Sequence, residues 1–252
     1  MLRVLKSEML RLKKSKMIYI MVSIMLVLPL FGHGMSVLVQ SFGPEAAELE
    51  MFNDMSMFDF VKFSARDMFT GGSGLIMAMV IGVNLLCEEY NSGMLKMKVM
   101  ASSRKKVATA KLLVMGISVL ILSVSHFISS VTVGRLFYGN IDFNEILSVF
   151  VTYGYGILGM TVFGILMMNF GFLFKKGSAA IASGLGLYIL LSIALQITPP
   201  AFSWVLPLGY TMLCVNGLVE QFAIHGLISG MMLGVVGITL MMVSLKNKEL
   251  TC

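Results

Sequence analysis

The sequence is poor in charged residues. Only 13% of its 252 residues are Asp, Glu, Lys or Arg, while 57% are hydrophobic. A soluble domain carries about 25% charged residues, so a folded surface of this composition would not stay in solution. The net charge of +6 does not indicate nucleic-acid binding, because the basic residues flank apolar segments and form no single stripe. The composition therefore predicts a membrane protein.

Three further absences restrict the function. The three cysteines form no C-x-x-C pair and no metal-ligand spacing, and we expect neither a metal site nor a catalytic residue. No G-x-x-x-x-G-K-[ST] sequence occurs, so we expect no cofactor in this chain, and any energy from ATP would come from another polypeptide. The apolar segments hold no carboxylate, which argues against ion-coupled transport. His126 is titratable near mid-depth, and we expect it to be neutral and hydrogen-bonded to a neighbouring helix.

Long apolar runs are what the sequence does have. A helix needs about 20 mainly apolar residues to cross the hydrocarbon core of a bilayer. No segment outside these runs is long enough for a second domain, so we expect residues 1–252 to form one all-α transmembrane domain. The six predicted spans are about 17–38, 68–87, 112–134, 146–173, 178–198 and 222–245.

The distribution of charge predicts the orientation. Sixteen of the 19 basic residues, but only four of the 13 acidic ones, fall at the two termini, between spans two and three, and between spans four and five. Basic residues in short loops mark the cytoplasmic face. We therefore expect a multi-pass protein of the cell membrane with both termini in the cytoplasm.

Three segments outside the spans carry their own patterns. Residues 1–16 place Leu and Met at helical spacing, which predicts an amphipathic helix on the inner leaflet; basic residues with no special role are an equal alternative. The longest outer loop, 39–67, predicts a short interfacial helix. Between spans five and six, prolines interrupt an apolar stretch too short to cross twice, which predicts an outer re-entrant hairpin. Its marker residues are Pro199, Pro200, Trp204, Pro207 and Tyr210.

The inner loop between spans two and three is the most ordered segment of the sequence. Acidic residues come first, then the turn signal Asn91-Ser92-Gly93, then residues 94–101 and a basic cluster at 104–106. Apolar and basic residues recur at helical spacing within 94–101, which predicts a short helix able to dock on a cytosolic protein. A plain topology loop is an equal alternative on these residues alone. The repeating positions are Met94, Met97, Lys98 and Ala101.

This loop resembles the first cytoplasmic loop of ABC-2 type ABC transporter permeases. Their pattern is roughly E-x-x-x-G-[ST]-x-K, followed by a small-basic pair and a lysine that opens the third helix. Met94 departs from it, because Ser or Thr is usual there. The N-terminal segment is similar to the family's elbow helix, and the proline-broken stretch to its re-entrant segment. The matching residues are Glu89, Gly93, Lys96, Ser103, Arg104 and Lys111.

The resemblance implies a permease subunit of an ATP-driven exporter, with the loop as the coupling helix that contacts the ATPase. It is closest to small Gram-positive permeases for peptide export and immunity, such as those of lantibiotic-immunity and phenol-soluble modulin exporters. The implied partners are two cytosolic ABC ATPase subunits that bind ATP and Mg²⁺, a second permease copy or paralogue, the lipid bilayer and an amphipathic or antimicrobial peptide. The implied coupling residues are Glu88, Glu89, Tyr90, Gly93, Met94, Met97 and Lys98.

Two other classes of function remain as alternatives. A passive channel or membrane assembly factor would need no motor, but the sequence holds no charged or carbonyl-rich filter. An Abi-type intramembrane protease is suggested by the paired acids Glu88 and Glu89. Its pattern E-E-x-x-x-R requires arginine at the position of Gly93, and the three histidines are scattered among different predicted helices.

Overall fold

A computed structural model describes residues 2–41, 55–70, 72–140, 142–174, 176–198 and 219–247. Every regular element in these ranges is a helix, as the sequence predicts. The predicted re-entrant residues Pro199, Pro200, Trp204, Pro207 and Tyr210 lie outside the described residues. The helices are α1 Leu2–Lys14, α2 Lys16–Ser41, α3 Met57–Phe69, α4 Ser73–Asn91, α5 Met94–Ala101, α6 Arg104–Tyr138, α7 Phe143–Met168, α8 Phe170–Leu173, α9 Gly177–Ile197 and α10 Val219–Asn247.

Six stretches of the described chain are long and apolar enough to cross a membrane, which confirms the polytopic fold. Each overlaps one predicted span. The fourth differs in one detail: α7 ends at Met168 and the short α8 follows after Asn169. The stretches are Lys16–Met35, Met57–Asn91, Arg104–Tyr138, Glu145–Leu173, Gly177–Ile197 and Ile228–Leu245.

The second crossing begins earlier than its predicted start at residue 68. Helix α3 occupies the end of the predicted outer loop and packs on α6 and α7. Its first turn is capped by Ser56, whose Oγ accepts a hydrogen bond of 3.1 Å from the Asp59 backbone N–H. The predicted interfacial helix is thus a packed part of the bundle, because one face of α3 is apolar or small. The buried residues of that face are Met57, Phe60, Val61, Ser64, Ala65, Met68 and Phe69.

Gly72 stands between α3 and α4 with a φ of 101°, a left-handed conformation that favours glycine. A Cβ atom at this position would lie 2.2 Å from the hydroxyl oxygen of Tyr188 on α9. The backbone conformation at this position therefore favours glycine, and a side chain would also require the Tyr188 ring to move.

Helix α6 is the central element of the bundle. At 35 residues it is about 52 Å long, well beyond the roughly 30 Å of a hydrocarbon core. It contacts α1 to α5, α7 and α10. The predicted third span, 112–134, is only its middle part, so α6 connects the two ends of the bundle in one rigid piece.

Helices α4 and α7 pack with their backbones close together. A Cβ atom on Gly82 would lie 2.5 Å from the carbonyl oxygen of Gly164, so a side chain there would force the helices apart. Small residues commonly allow this approach between membrane helices. By contrast, few residues are buried in α2, in α9 and in the Ile228–Leu245 part of α10, and the uncovered faces are available to lipid or to another subunit.

Candidate functional site

Six charged side chains meet where α1, the last turns of α4, α5 and the beginning of α6 converge, on the side of the bundle that the distribution of charge predicts to be cytoplasmic. Three acids and three bases give a formal net charge of zero. We call this set the inner charge cluster. Its members are Glu8 and Arg11 of α1, Glu88 and Glu89 of α4, Lys98 of α5 and Lys111 of α6.

Glu89 is the centre of the inner charge cluster. Its side chain is fully buried, and an isolated carboxylate there would be very unfavourable. Three cations surround it. Arg11 donates a hydrogen bond of 2.6 Å to Oε1, Lys111 Nζ lies 2.7 Å from Oε2, and Lys98 Nζ donates to Oε1. One carboxylate therefore holds together α1, α4, α5 and α6.

Lys111 is as buried as its carboxylate partner. Its Nζ also donates a hydrogen bond of 2.5 Å to the Leu85 carbonyl oxygen and lies 3.4 Å from Glu8 Oε1. A buried ammonium needs both opposite charge and hydrogen-bond acceptors, and this site supplies both. These contacts attach the last turns of α4 to the beginning of α6.

The α1 helix joins the cluster through two residues. Lys98 Nζ donates a hydrogen bond of 2.7 Å to Glu8 Oε1, and the Glu8 side chain is fully buried. Arg11 donates to Glu88 at 2.5 Å in addition to Glu89. Burial would lower the pKa of Arg11, but the hydrogen bond to Glu88 and the charge of Glu89 outweigh it and raise the pKa above its ordinary value. Arg11 is therefore a permanent cation between two acids.

Helix α5 has two chemically different faces. Leu95 and Lys98 point into the protein; Leu95 is fully buried. On the opposite side Met97 and Met100 are 61% and 74% exposed, and Met94, at the edge between the two faces, is 40% exposed. The inner face is thus tied to the bundle by charge, and the outer face presents thioether side chains to the surroundings.

The turn that leads into α5 depends on one glycine. Gly93 has a φ of 71°, so a side chain there would strain the backbone. No atom lies within 4 Å of the place where its Cβ would be. The glycine is required for the direction of the chain rather than for space.

The structure brings part of the predicted coupling set together. Glu88, Glu89 and Lys98 lie in the charge cluster, while Tyr90 is partly buried with its ring edge-on to Phe172 at 6.5 Å. Met94 and Met97 lie on the exposed face of α5. Lys98, predicted as a docking contact beside them, points inward, because the two buried carboxylates attract it.

Sequence reasoning missed Glu8, Arg11 and Met100. A signal for Glu8 was available: it follows Leu5 by three residues and precedes Leu12 by four, so it shares their helix face. An acid on the apolar face of a basic amphipathic helix indicates a buried ionic partner.

A second set of polar side chains lies farther along α6, toward the side predicted to be outer. We call it the outer hydrogen-bond network. His126 Nδ1 lies 2.7 Å from the Tyr153 hydroxyl of α7, and its Nε2 lies 3.3 Å from Ser64 Oγ of α3. Ser64 Oγ is also 3.0 Å from Ser130 Oγ. All four residues are buried. The prediction that His126 hydrogen-bonds to neighbouring helices is confirmed.

Comparison with known families identifies the class of this protein. A family model described as ABC-2 family transporter protein matches residues 4–194, about three quarters of the chain and all of the inner charge cluster. The chain belongs to this family of ABC transporter permeases, a membrane component that is not itself catalytic. Neither the comparison with curated proteins nor that with solved structures found a match.

Proposed function

We propose that this chain is the membrane subunit of an ATP-driven exporter and that α5 is the helix on which its ATPase docks. Family membership implies an ABC ATPase partner, which would bind ATP and Mg²⁺. The observation that carries the proposal is the division of α5 into a charge-tied inner face and an exposed face of methionines. A helix built in this way is held firmly on one side and leaves apolar surface for a partner on the other.

The inner charge cluster would transmit movement of the proposed ATPase to the membrane-crossing helices. Closure of two ATPase subunits would displace α5. Lys98 passes that displacement to Glu8 on α1 and Glu89 on α4, and Lys111 connects the same carboxylates to α6. Ionic contacts depend weakly on direction, so they hold while the helices shift by small amounts.

The orientation and the membrane partner follow from the same proposal. The charge cluster and both termini face the cytoplasm, as the distribution of basic residues favours. A second copy or a paralogue would pair through apolar faces that the single chain leaves uncovered, on α2, α9 or α10. The complex belongs in the cell membrane.

We further propose an amphipathic or antimicrobial peptide as the cargo, exported for secretion or self-immunity. The resemblance to small peptide-exporting permeases supports this cargo. The 24 methionines of the chain suit a variable apolar ligand, because their flexible side chains adapt to irregular surfaces.

A matched pair of glycine substitutions tests the docking role of α5. Gly93→Val strains the turn before α5, and we expect loss of both ATPase co-purification and peptide export. Gly139→Val is the control, because Gly139 also has a positive φ, 95°, and open space around its Cβ, but follows the far end of α6. Unchanged co-purification and export in Gly93→Val, or an equal loss in Gly139→Val, would refute the assignment.

A further inference from the structure

The exposed face of α5 is unusual in the chemistry of its side chains. Met94, Met97 and Met100 cover it, and no leucine or valine shares the positions of highest exposure. Within the described ranges, the other exposed methionines lie inside candidate spans. Those are Met35, Met231 and Met232. In the part of the chain that the structure describes, α5 is therefore where exposed thioethers lie outside the membrane-crossing stretches.

A thioether differs from an alkyl side chain because it can be oxidised reversibly. Methionine sulfoxide is polar, and sulfoxide reductases convert it back to methionine. We infer that the methionine face of α5 is a modification site: its oxidation by hydrogen peroxide prevents the free permease from docking on its ATPase, and reduction restores docking. This inference rests on the proposed docking role of α5.

The reaction needs only the side chain and one peroxide molecule. A sulfur lone pair attacks one peroxide oxygen, the S–O bond forms, and the O–O bond breaks. The proton of the transferred oxygen passes to the departing hydroxide, which leaves as water. The sulfur loses two electrons and the peroxide gains them.

The arrangement of α5 confines the effect of oxidation to docking. Met97 and Met100 are the two most exposed of the three methionines. A sulfoxide oxygen buried in an apolar interface without a hydrogen-bond donor is unfavourable. The inner face holds Leu95 and Lys98 and no methionine, so the charge cluster stays intact while docking is lost. A docked ATPase shields the same thioethers, and the free permease is the form that peroxide modifies.

The test uses the full-length permease and the ABC ATPase that purifies with it, recognised by its G-x-x-x-x-G-K-[ST] sequence. Purified permease is treated with hydrogen peroxide, the peroxide is removed, and ATPase binding is measured. We expect binding to weaken about tenfold or more and to recover after treatment with methionine sulfoxide reductase. The triple variant Met94→Leu/Met97→Leu/Met100→Leu should keep its affinity after peroxide. The control variant Met231→Leu/Met232→Leu keeps the α5 methionines, so peroxide should weaken its ATPase binding as much as that of the unchanged protein.

Peptide mass spectrometry and one further variant separate the possible failures. The inference would be overturned if peroxide left ATPase binding undiminished, whether or not Met97 and Met100 carry sulfoxide. An equal loss of binding in the triple leucine variant would also overturn it. Met97→Gln/Met100→Gln makes the face polar without an oxidant. Normal binding by this variant would show that the docking assignment itself is wrong. If the double glutamine variant binds the ATPase weakly but the oxidised protein binds it normally, the docking assignment stands and only the redox inference is wrong.

Discussion

The inner charge cluster and the outer hydrogen-bond network both join buried polar side chains across helices, but they use different interactions. The inner cluster is ionic, with Glu89 at its centre and cations from three other helices. The outer network is built from His126 and three hydroxyl groups. Coulomb attraction falls slowly with distance and depends little on angle, whereas a hydrogen bond weakens steeply when its angle departs from linearity. The inner cluster therefore tolerates small movements of its helices, and the outer network fixes one geometry.

Among substitutions in the two sets of side chains, removal of the central carboxylate should lower the stability of the protein most. Glu89→Ala leaves Glu8 as the remaining carboxylate beside Lys98 and Lys111. Removing one partner of a buried ionic group costs about 3–5 kcal/mol. We expect a correspondingly large fall in thermal stability, measured on the detergent-solubilised protein.

The neighbouring acid provides the control for this substitution. Glu88 carries the same charge, but its side chain is 63% exposed, and exposed ion pairs contribute about 0–1 kcal/mol. Glu88→Ala should therefore have little effect. Equal melting temperatures for the two variants would show that Glu89 is not the centre of the cluster.

The contact between α1 and α5 should produce the next largest effect. Lys98→Met leaves the Glu8 carboxylate without its 2.7 Å partner, and hydrogen bonds to charged groups contribute about 1.5–3 kcal/mol. The double variant Glu8→Gln/Lys98→Met should be more stable than the sum of the two single changes predicts, by about 1–2 kcal/mol. A strictly additive result in the melting experiments would mean that the two residues do not interact.

The outer network should respond less than the inner cluster. His126→Leu leaves Tyr153 and Ser64 without their shared partner and should cost about 1–3 kcal/mol of stability. Tyr153→Phe should cost less, because His126 Nδ1 keeps Ser130 Oγ at 3.3 Å. Melting temperatures in detergent give the order, and a larger loss in Tyr153→Phe would contradict it.

Apart from the Glu88→Ala control, the smallest effect should come from Arg11 at the edge of the inner cluster. Arg11 is 26% exposed at its side chain, so solvent screens its pairs more than those of Lys111. Arg11→Gln should lower stability by about 1 kcal/mol, and added salt should reduce the difference from the unchanged protein. A salt-independent difference would place Arg11 among the fully buried partners.

The apolar stretches were predictable because length and composition determine them. The charge cluster was predictable only in part. Four of its six members are among the residues that the family resemblance implies: Glu88, Glu89, Lys98 and Lys111. Glu8 enters the sequence analysis only as one of the four acids on the predicted cytoplasmic side. Its pairing with Lys98 joins residues far apart in sequence, and no local spacing determines which cation meets which acid.

The limits of helix α3 show a different reason for failure. Because of Asp59, Lys62 and Arg66 the segment was assigned to the outer loop, as an interfacial helix separate from the second span. Phe60 and Ser64 nevertheless share a face that is buried. Hydropathy averaged over a window mixes the two faces of a helix, so an amphipathic extension of a span escapes detection. The helical period of the apolar residues carries the missing signal.

Helix α6 carries Lys111 of the inner cluster and His126 of the outer network without interruption. Each residue along an α-helix turns the next side chain by about 100°. A single insertion or deletion between these two positions would leave both chemistries intact but point them in incompatible directions. The number of residues between Lys111 and His126 thus fixes the relative direction of the two side chains. Many side chains in this interval can be exchanged, but its length cannot change.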